Sequence, residues 1–100
     1  MNSRDKGKRG ELELAKVLRE YGFEARRGVQ YKGGEDSPDV VGIPGVHIEC
    51  KRVERLNIDD AMEQSVRDSG EELPVVVHRK NRKSWLVTMR LEDFLRIYGG

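Results

Sequence analysis

"SPDVVGIPGVHIECKRV", residues 37–53, decides how the chain folds. Val46, Ile48 and Cys50 alternate there with His47, Glu49 and Lys51. That is the period of a strand, whose successive side chains point to opposite faces. Pro44-Gly45 is a tight turn. The short apolar stretch 39–43 before it therefore folds back on 46–53 as an antiparallel hairpin. One face of the second strand is apolar; the other carries Glu49 and Lys51. The hairpin brings Asp39, which opens the first strand, alongside 49–51.

Two carboxylates and an ammonium thus converge. The plain alternative is a half-solvated strand with an incidental ion pair. The chemical alternative is a hard oxygen site: Asp39, Glu49 and the main-chain carbonyl of Cys50 suit Mg²⁺. A metal held so would polarise a phosphate and acidify a bound water, and Lys51 would offset charge on phosphorus. The Cys50 side chain points to the apolar face and is read as a core residue.

Outward from the hairpin, residues 5–21 read as a helix. Leu14, Ala15, Leu18 and Tyr21 recur on one side, and Gly22 is placed to cap its end. Residues 23–30 read as a strand and 31–38 as a turn-rich loop. After the hairpin, Asn57 or Asp59 caps a helix over 60–70, with Ala61, Met62, Ser65 and Val66 inward. "LPVVVHR" (73–79) is a buried-type strand, "SWLVTM" (84–89) its antiparallel partner across a polar turn, and "LEDFLRIY" (91–98) a short amphipathic helix. The order is α-β-β-β-α-β-β-α. A helical crossover favours a parallel neighbour, so the expected fold is α/β, a mixed sheet of about five strands flanked by helices.

One hundred residues suit a single domain over 1–100, small enough that oligomerisation is a common supplement. There is no apolar run of membrane-spanning length and no signal-peptide core. The single cysteine rules out an internal disulfide and suits a reducing, intracellular (cytoplasmic) setting. It also rules out a cysteine-based zinc site, and two histidines thirty-one residues apart make a poor metal pair.

The net charge of +1 conceals segregation. Nine of the nineteen basic residues lie in the first thirty-two positions: Arg4, Lys6, Lys8, Arg9, Lys16, Arg19, Arg26, Arg27 and Lys32. "HRKNRK" adds Arg79, Lys80, Arg82 and Lys83, while acids gather at 59–72. Such patches bind polyanions even when the total is near zero.

Glu11 lies one turn before Leu14 and Ala15, on the side of the helix expected to face the sheet. An inward carboxylate is costly without a cation or donor. Glu13 projects elsewhere on the helix.

"PD" at 38–39 followed by "ECK" at 49–51 resembles the PD-(D/E)xK nuclease motif. "RDKGKRGELELAKVLREYGFEARRG" (4–28) is similar to the opening of archaeal-type Holliday junction resolvases, and the likeness spans roughly 4–88. The resemblance implies a restriction-endonuclease-like fold and a metal-dependent DNA endonuclease. By position, Glu11 matches the helical metal-linked glutamate, Asp39 the metal-binding aspartate, Glu49 the second ligand and Lys51 the catalytic lysine. Gln64 matches a supporting glutamine, with a surface amide as its equal alternative. Glu35 and Asp36 are rival acids, but neither directly follows a proline.

The implied cofactor is Mg²⁺, with Mn²⁺ as a substitute, and no small-molecule cofactor or membrane. The implied partners are DNA, branched by analogy, and a second copy of the chain, since a four-way junction needs two cuts. Arg4, Lys6, Lys8, Arg9, Arg26, Arg27, Lys32, Arg52, Arg79, Lys80, Arg82 and Lys83 are expected on backbone phosphates, which position DNA without reading sequence. The apolar patch for a dimer is sought on "VVVHR", "WLVTM" and the last helix. His47 reads as structural or exposed, His78 as a possible phosphate contact, and Trp85 as packing on the sheet or a partner. Competing functions are a flap- or fork-nicking or general nuclease of the same superfamily, and a non-catalytic nucleic-acid-binding module.

Overall fold

The computed structural model describes residues 3–28 and 37–100, the side chains of residues 3–6 excepted. Its elements are α1 (Ser3–Glu20), β1 (Arg26–Arg27), β2 (Val40–Val41), β3 (Val46–Arg52), α2 (Ile58–Asp68), β4 (Leu73–Arg79), β5 (Leu86–Thr88) and α3 (Leu91–Gly99). The expected element order holds. The five strands form one sheet in the order β1-β2-β3-β4-β5. Neighbours run antiparallel except β3 and β4, which are parallel and connected through α2, as a helical crossover requires.

The helix of 5–21 begins earlier and ends one residue sooner, and its end is a Schellman cap. Gly22, at φ +97°, donates to Arg19 O (3.0 Å), and Phe23 N donates to Leu18 O (3.2 Å). This cap ejects Tyr21 into solvent, 79% exposed, instead of onto the inner face. It also delays the strand expected over 23–30: Phe23 N is committed to the cap, and among the described residues Arg26 and Arg27 pair with Val41 and Val40, with Gly28 N donating to Asp39 O at 2.8 Å. Val29 and Gln30 lie outside the described residues.

The strand of 39–43 contracts to Val40–Val41, that of 46–53 ends at Arg52, and that of 84–89 contracts to Leu86–Thr88 because Trp85 turns into the core. Asn57 is the N-cap of α2, its side chain accepting from Asp60 N at 3.1 Å. The helix ends at Asp68, since Gly70 already adopts φ +58°.

α1 packs Leu14 and Ala15 on Val40, Ile48, Cys50, Val75 and Val77. Each large buried aliphatic side chain contributes about 1.5–3 kcal/mol. The approach is close: a Cβ on Gly10 would lie 2.5 Å from Arg52 Cβ, so only glycine lets this turn of α1 rest on β3. α2 covers the opposite face with Ala61 and Ser65, whose hydroxyl donates to Val75 O at 3.0 Å.

The sheet centre is therefore buried on both sides, as a parallel pair between helices must be. The half-solvated strand is overturned: His47 and Glu49 are 1% and 2% exposed. Val75, Val76 and Val77 are buried as well, which withdraws "VVVHR" from any exposed apolar patch. No helix among the described residues is long and apolar enough to cross a membrane.

Candidate active site

The antiparallel β2–β3 pair sets Val40 opposite Ile48. Asp39 N donates to Ile48 O at 2.8 Å, and Cys50 N donates to Asp39 Oδ2 at 2.8 Å. The aspartate is thus held by main chain on both ends of its residue, beside Glu49. Burial pushes the Glu49 carboxyl up to about 8; the Asp39 charge and a hydrogen bond with Asp39 push the same way, and Lys51 opposes them. A buried carboxyl thus lies against the charge of a part-buried one, only partly offset by Lys51.

Glu11, from α1, belongs to the same electrostatic neighbourhood. Burial raises its pKa, its Arg27 hydrogen bond lowers it, Asp39 raises it, and Arg27 and Lys51 attract its charge. Its Oε1 accepts from Arg27 Nε at 2.6 Å. Gln64 is half-buried on α2, next to the inward Ser65. Cys50 is a core residue on the α1 face, and burial raises its thiol pKa strongly.

His47, read from the sequence as structural or exposed, is structural and buried. Its Nε2 lies 2.9 Å from Glu49 Oε1, buried with it, which fixes one carboxylate oxygen. Strand alternation already put both on one face; the missing knowledge was that α2 would seal that face.

Among the described residues no group of three or more His, Cys, Asp and Glu side chains closes into an ion cage. Mg²⁺ does not ask for one: it is held by one or two carboxylates and completed by water and substrate phosphate. The donor chemistry of Asp39, Glu49 and a main-chain carbonyl fits a divalent ion of this kind.

The basic residues divide into two kinds. Lys8, Arg9, Arg26, Lys80, Arg82 and Lys83 are exposed. Arg27 is committed to Glu11, while Arg52 and Arg79 converge on Glu13 Oε1, Arg52 at 3.4 Å. Arg52 also donates to Asn81 Oδ1 (2.9 Å), and Asn81 N to Glu54 Oε2 (2.6 Å). Glu13, set aside in the sequence, thus ties α1 to β3, β4 and the 80–83 turn. The side chains of Arg4 and Lys6, and all of Lys32, Glu35 and Asp36, lie outside the described residues.

A family model described as "Phage putative PDDEXK endonuclease" matches residues 2–98. Among solved structures, the 1.6 Å structure of Hjc, a Holliday junction resolvase from the archaeal hyperthermophile Archaeoglobus fulgidus, is similar, with 30% identity and a TM-score of 0.61. The match covers 84% of this chain and 72% of that one. No curated protein matches the chain.

Proposed function

Because the chain belongs to the phage PDDEXK endonuclease family, we propose that it is a divalent-metal-dependent DNA endonuclease, similar in action to Holliday junction resolvases. The observation that carries this is the pairing of part-buried Asp39 with buried Glu49, each anchored by a neighbour (Cys50 N and His47) and flanked by Lys51. Asp39, Glu49 and the Cys50 carbonyl would hold Mg²⁺, with Mn²⁺ as a substitute. When bound, the ion supplies Lewis-acid polarisation of the phosphate and a more acidic water.

The protein's own residues do the rest. Asp39 presents one oxygen, because Oδ2 is taken by Cys50 N. Glu49 presents one, because Oε1 is taken by His47. Lys51 stabilises negative charge developing on the phosphoryl oxygens. Glu11 adds to the negative well that draws a cation, its charge moderated by Arg27. Gln64 supports the site from α2. Lys8, Arg9, Arg26, Lys80, Arg82 and Lys83 hold backbone phosphates, which favours recognition of shape over sequence and gives strong salt dependence.

A symmetric homodimer would offer two such sites for paired cuts. Its apolar contact is supported by the exposed Val87 of β5 and the exposed Leu95, Ile97 and Tyr98 of α3.

The second reading within the superfamily is a flap- or fork-nicking or general nuclease; a non-catalytic binding module is the third. Purified protein is tested on labelled four-way junction, flap, fork and linear duplex with Mg²⁺, beside Lys51→Ala. Paired symmetric cuts confined to the junction and lost in Lys51→Ala are expected. Cutting of every substrate selects the general nuclease, and tight binding without cutting selects the binding module.

A further inference from the structure

β3 and β4 run in parallel register with Lys51 opposite His78. Paired residues on neighbouring strands share a face, and their backbones lie about 4.8 Å apart. One strand away from the lysine is a hollow of about 300 Å³ lined by His78, Arg79, Lys80, Lys83, Ser84 and Leu86. Its floor is the His78 ring beside the Leu86 side chain, directly opposite each other in the β4–β5 register. Its rim carries the exposed Lys80 and Lys83.

Both parts are held in place. His78 Nε2 is hydrogen-bonded to Thr88 Oγ1 at 2.8 Å, which fixes the ring plane. Arg79 Nε donates to Lys83 O, which fixes the turn that makes the rim. Burial lowers the His78 pKa, which favours the neutral form of its flat ring.

We propose that this hollow receives one unpaired nucleobase of the DNA, from a nucleotide next to the phosphate lying at Lys51, with Lys80 and Lys83 on the flanking phosphates. A nucleotide is a planar ring with a π-face on an anionic backbone. The hollow is the complement: a flat neutral ring and an aliphatic wall bordered by ammonium groups. The Ser84 hydroxyl supplies a hydrogen-bonding edge. A base inside regular duplex is stacked and paired, and reaches such a wall only by leaving the stack, at a cost of a few kcal/mol; an already unpaired base avoids most of that. The hollow therefore favours DNA with an unpaired nucleotide beside the cut, as at a branch or fork. This inference rests on the nuclease reading for where the backbone lies.

Binding is measured without divalent cation, so that no strand is cut, on forked duplexes. In these, each unpaired base beside the branch is replaced in turn by an abasic site. Wild-type protein is expected to bind one abasic fork roughly tenfold more weakly than the intact fork. His78→Ala and Leu86→Trp, the latter filling the hollow from an exposed position, should bind both forks alike, whereas His78→Phe, which keeps a flat ring, should keep the difference. Equal wild-type binding to every fork overturns the proposal, as does a difference that survives in both His78→Ala and Leu86→Trp. Failure of the nuclease reading is separate: no cleavage of junction, flap, fork or linear duplex with Mg²⁺, together with a retained abasic penalty, removes the cutting and leaves the pocket.

Discussion

The backbone N–H of Cys50 donates to the carboxylate of Asp39 at 2.8 Å, across the hairpin that also pairs Asp39 N with Ile48 O. This contact separates the structural from the chemical role of the aspartate. Asn in its place keeps an oxygen for Cys50 N but loses the charge. Asp39→Asn is expected to leave the melting temperature nearly unchanged while cleavage in Mg²⁺ falls more than roughly 100-fold. Intact cleavage in Asp39→Asn would mean that the cation is held elsewhere.

Glu49 sets a pH dependence of unusual sign for a carboxyl. Its pKa is raised from 4.5 to about 8 by burial and by Asp39, so folding of the metal-free protein takes up a proton between those values. The stabilisation is complete below 4.5 and is lost as pH rises through about 8, on the order of several kcal/mol over the window. Thermal unfolding of the metal-free protein should show stability falling from acid to neutral pH, and Glu49→Gln should flatten the curve. A divalent cation must displace the same proton, so its affinity should rise with pH up to about 8 and then level off. Calorimetric titration in buffers of different ionisation enthalpy reads the proton released; none released would contradict the assignment of Glu49.

The hairpin and its alternation made Asp39, Glu49 and Lys51 legible in the sequence, because period 2 and one tight turn suffice to bring them together. The partners of those residues were less legible. His47 was assigned to the right face, but its burial depends on where α2 docks, which no local pattern states. Glu13 projects elsewhere on the helical wheel than Glu11, yet long arginines from β3 and β4 reach it, and side-chain reach is not a helical-wheel property. The start of the first strand was overread for a backbone reason: the cap at Gly22 consumes Phe23 N, and among the described residues pairing begins at Arg26.

Arg82 sits at φ +61° in the β4–β5 turn, a left-handed conformation that costs a non-glycine residue about 1–2 kcal/mol. Asparagine tolerates it better. Arg82→Asn is expected to stabilise the fold by about 0.5–1 kcal/mol, a rise of a few degrees in melting temperature. If Arg82 contacts phosphate, the same variant should bind DNA more weakly and lower the salt-dependence slope by about 1. A stability gain with unchanged binding would take Arg82 off the DNA surface while leaving the strain argument intact.

α3 carries Asp93 inward, paired with Arg90 at 2.8 Å and Arg96 at 3.4 Å, and turns Leu91, Phe94, Leu95, Ile97 and Tyr98 toward solvent. An amphipathic helix with its apolar side outward is a contact surface or an aggregation hazard. Val87 of β5 is a further exposed apolar side chain. Leu95 is 53% exposed, so a charge there costs the isolated chain little. Leu95→Glu should keep the wild-type circular dichroism spectrum and, if the homodimer forms through this face, sediment as a monomer where wild type sediments as a dimer at micromolar concentration. Junction cleavage should then change from paired to single cuts. A wild-type monomer with and without DNA would exclude the symmetric two-cut arrangement, and an unchanged dimer in Leu95→Glu would move the interface away from α3.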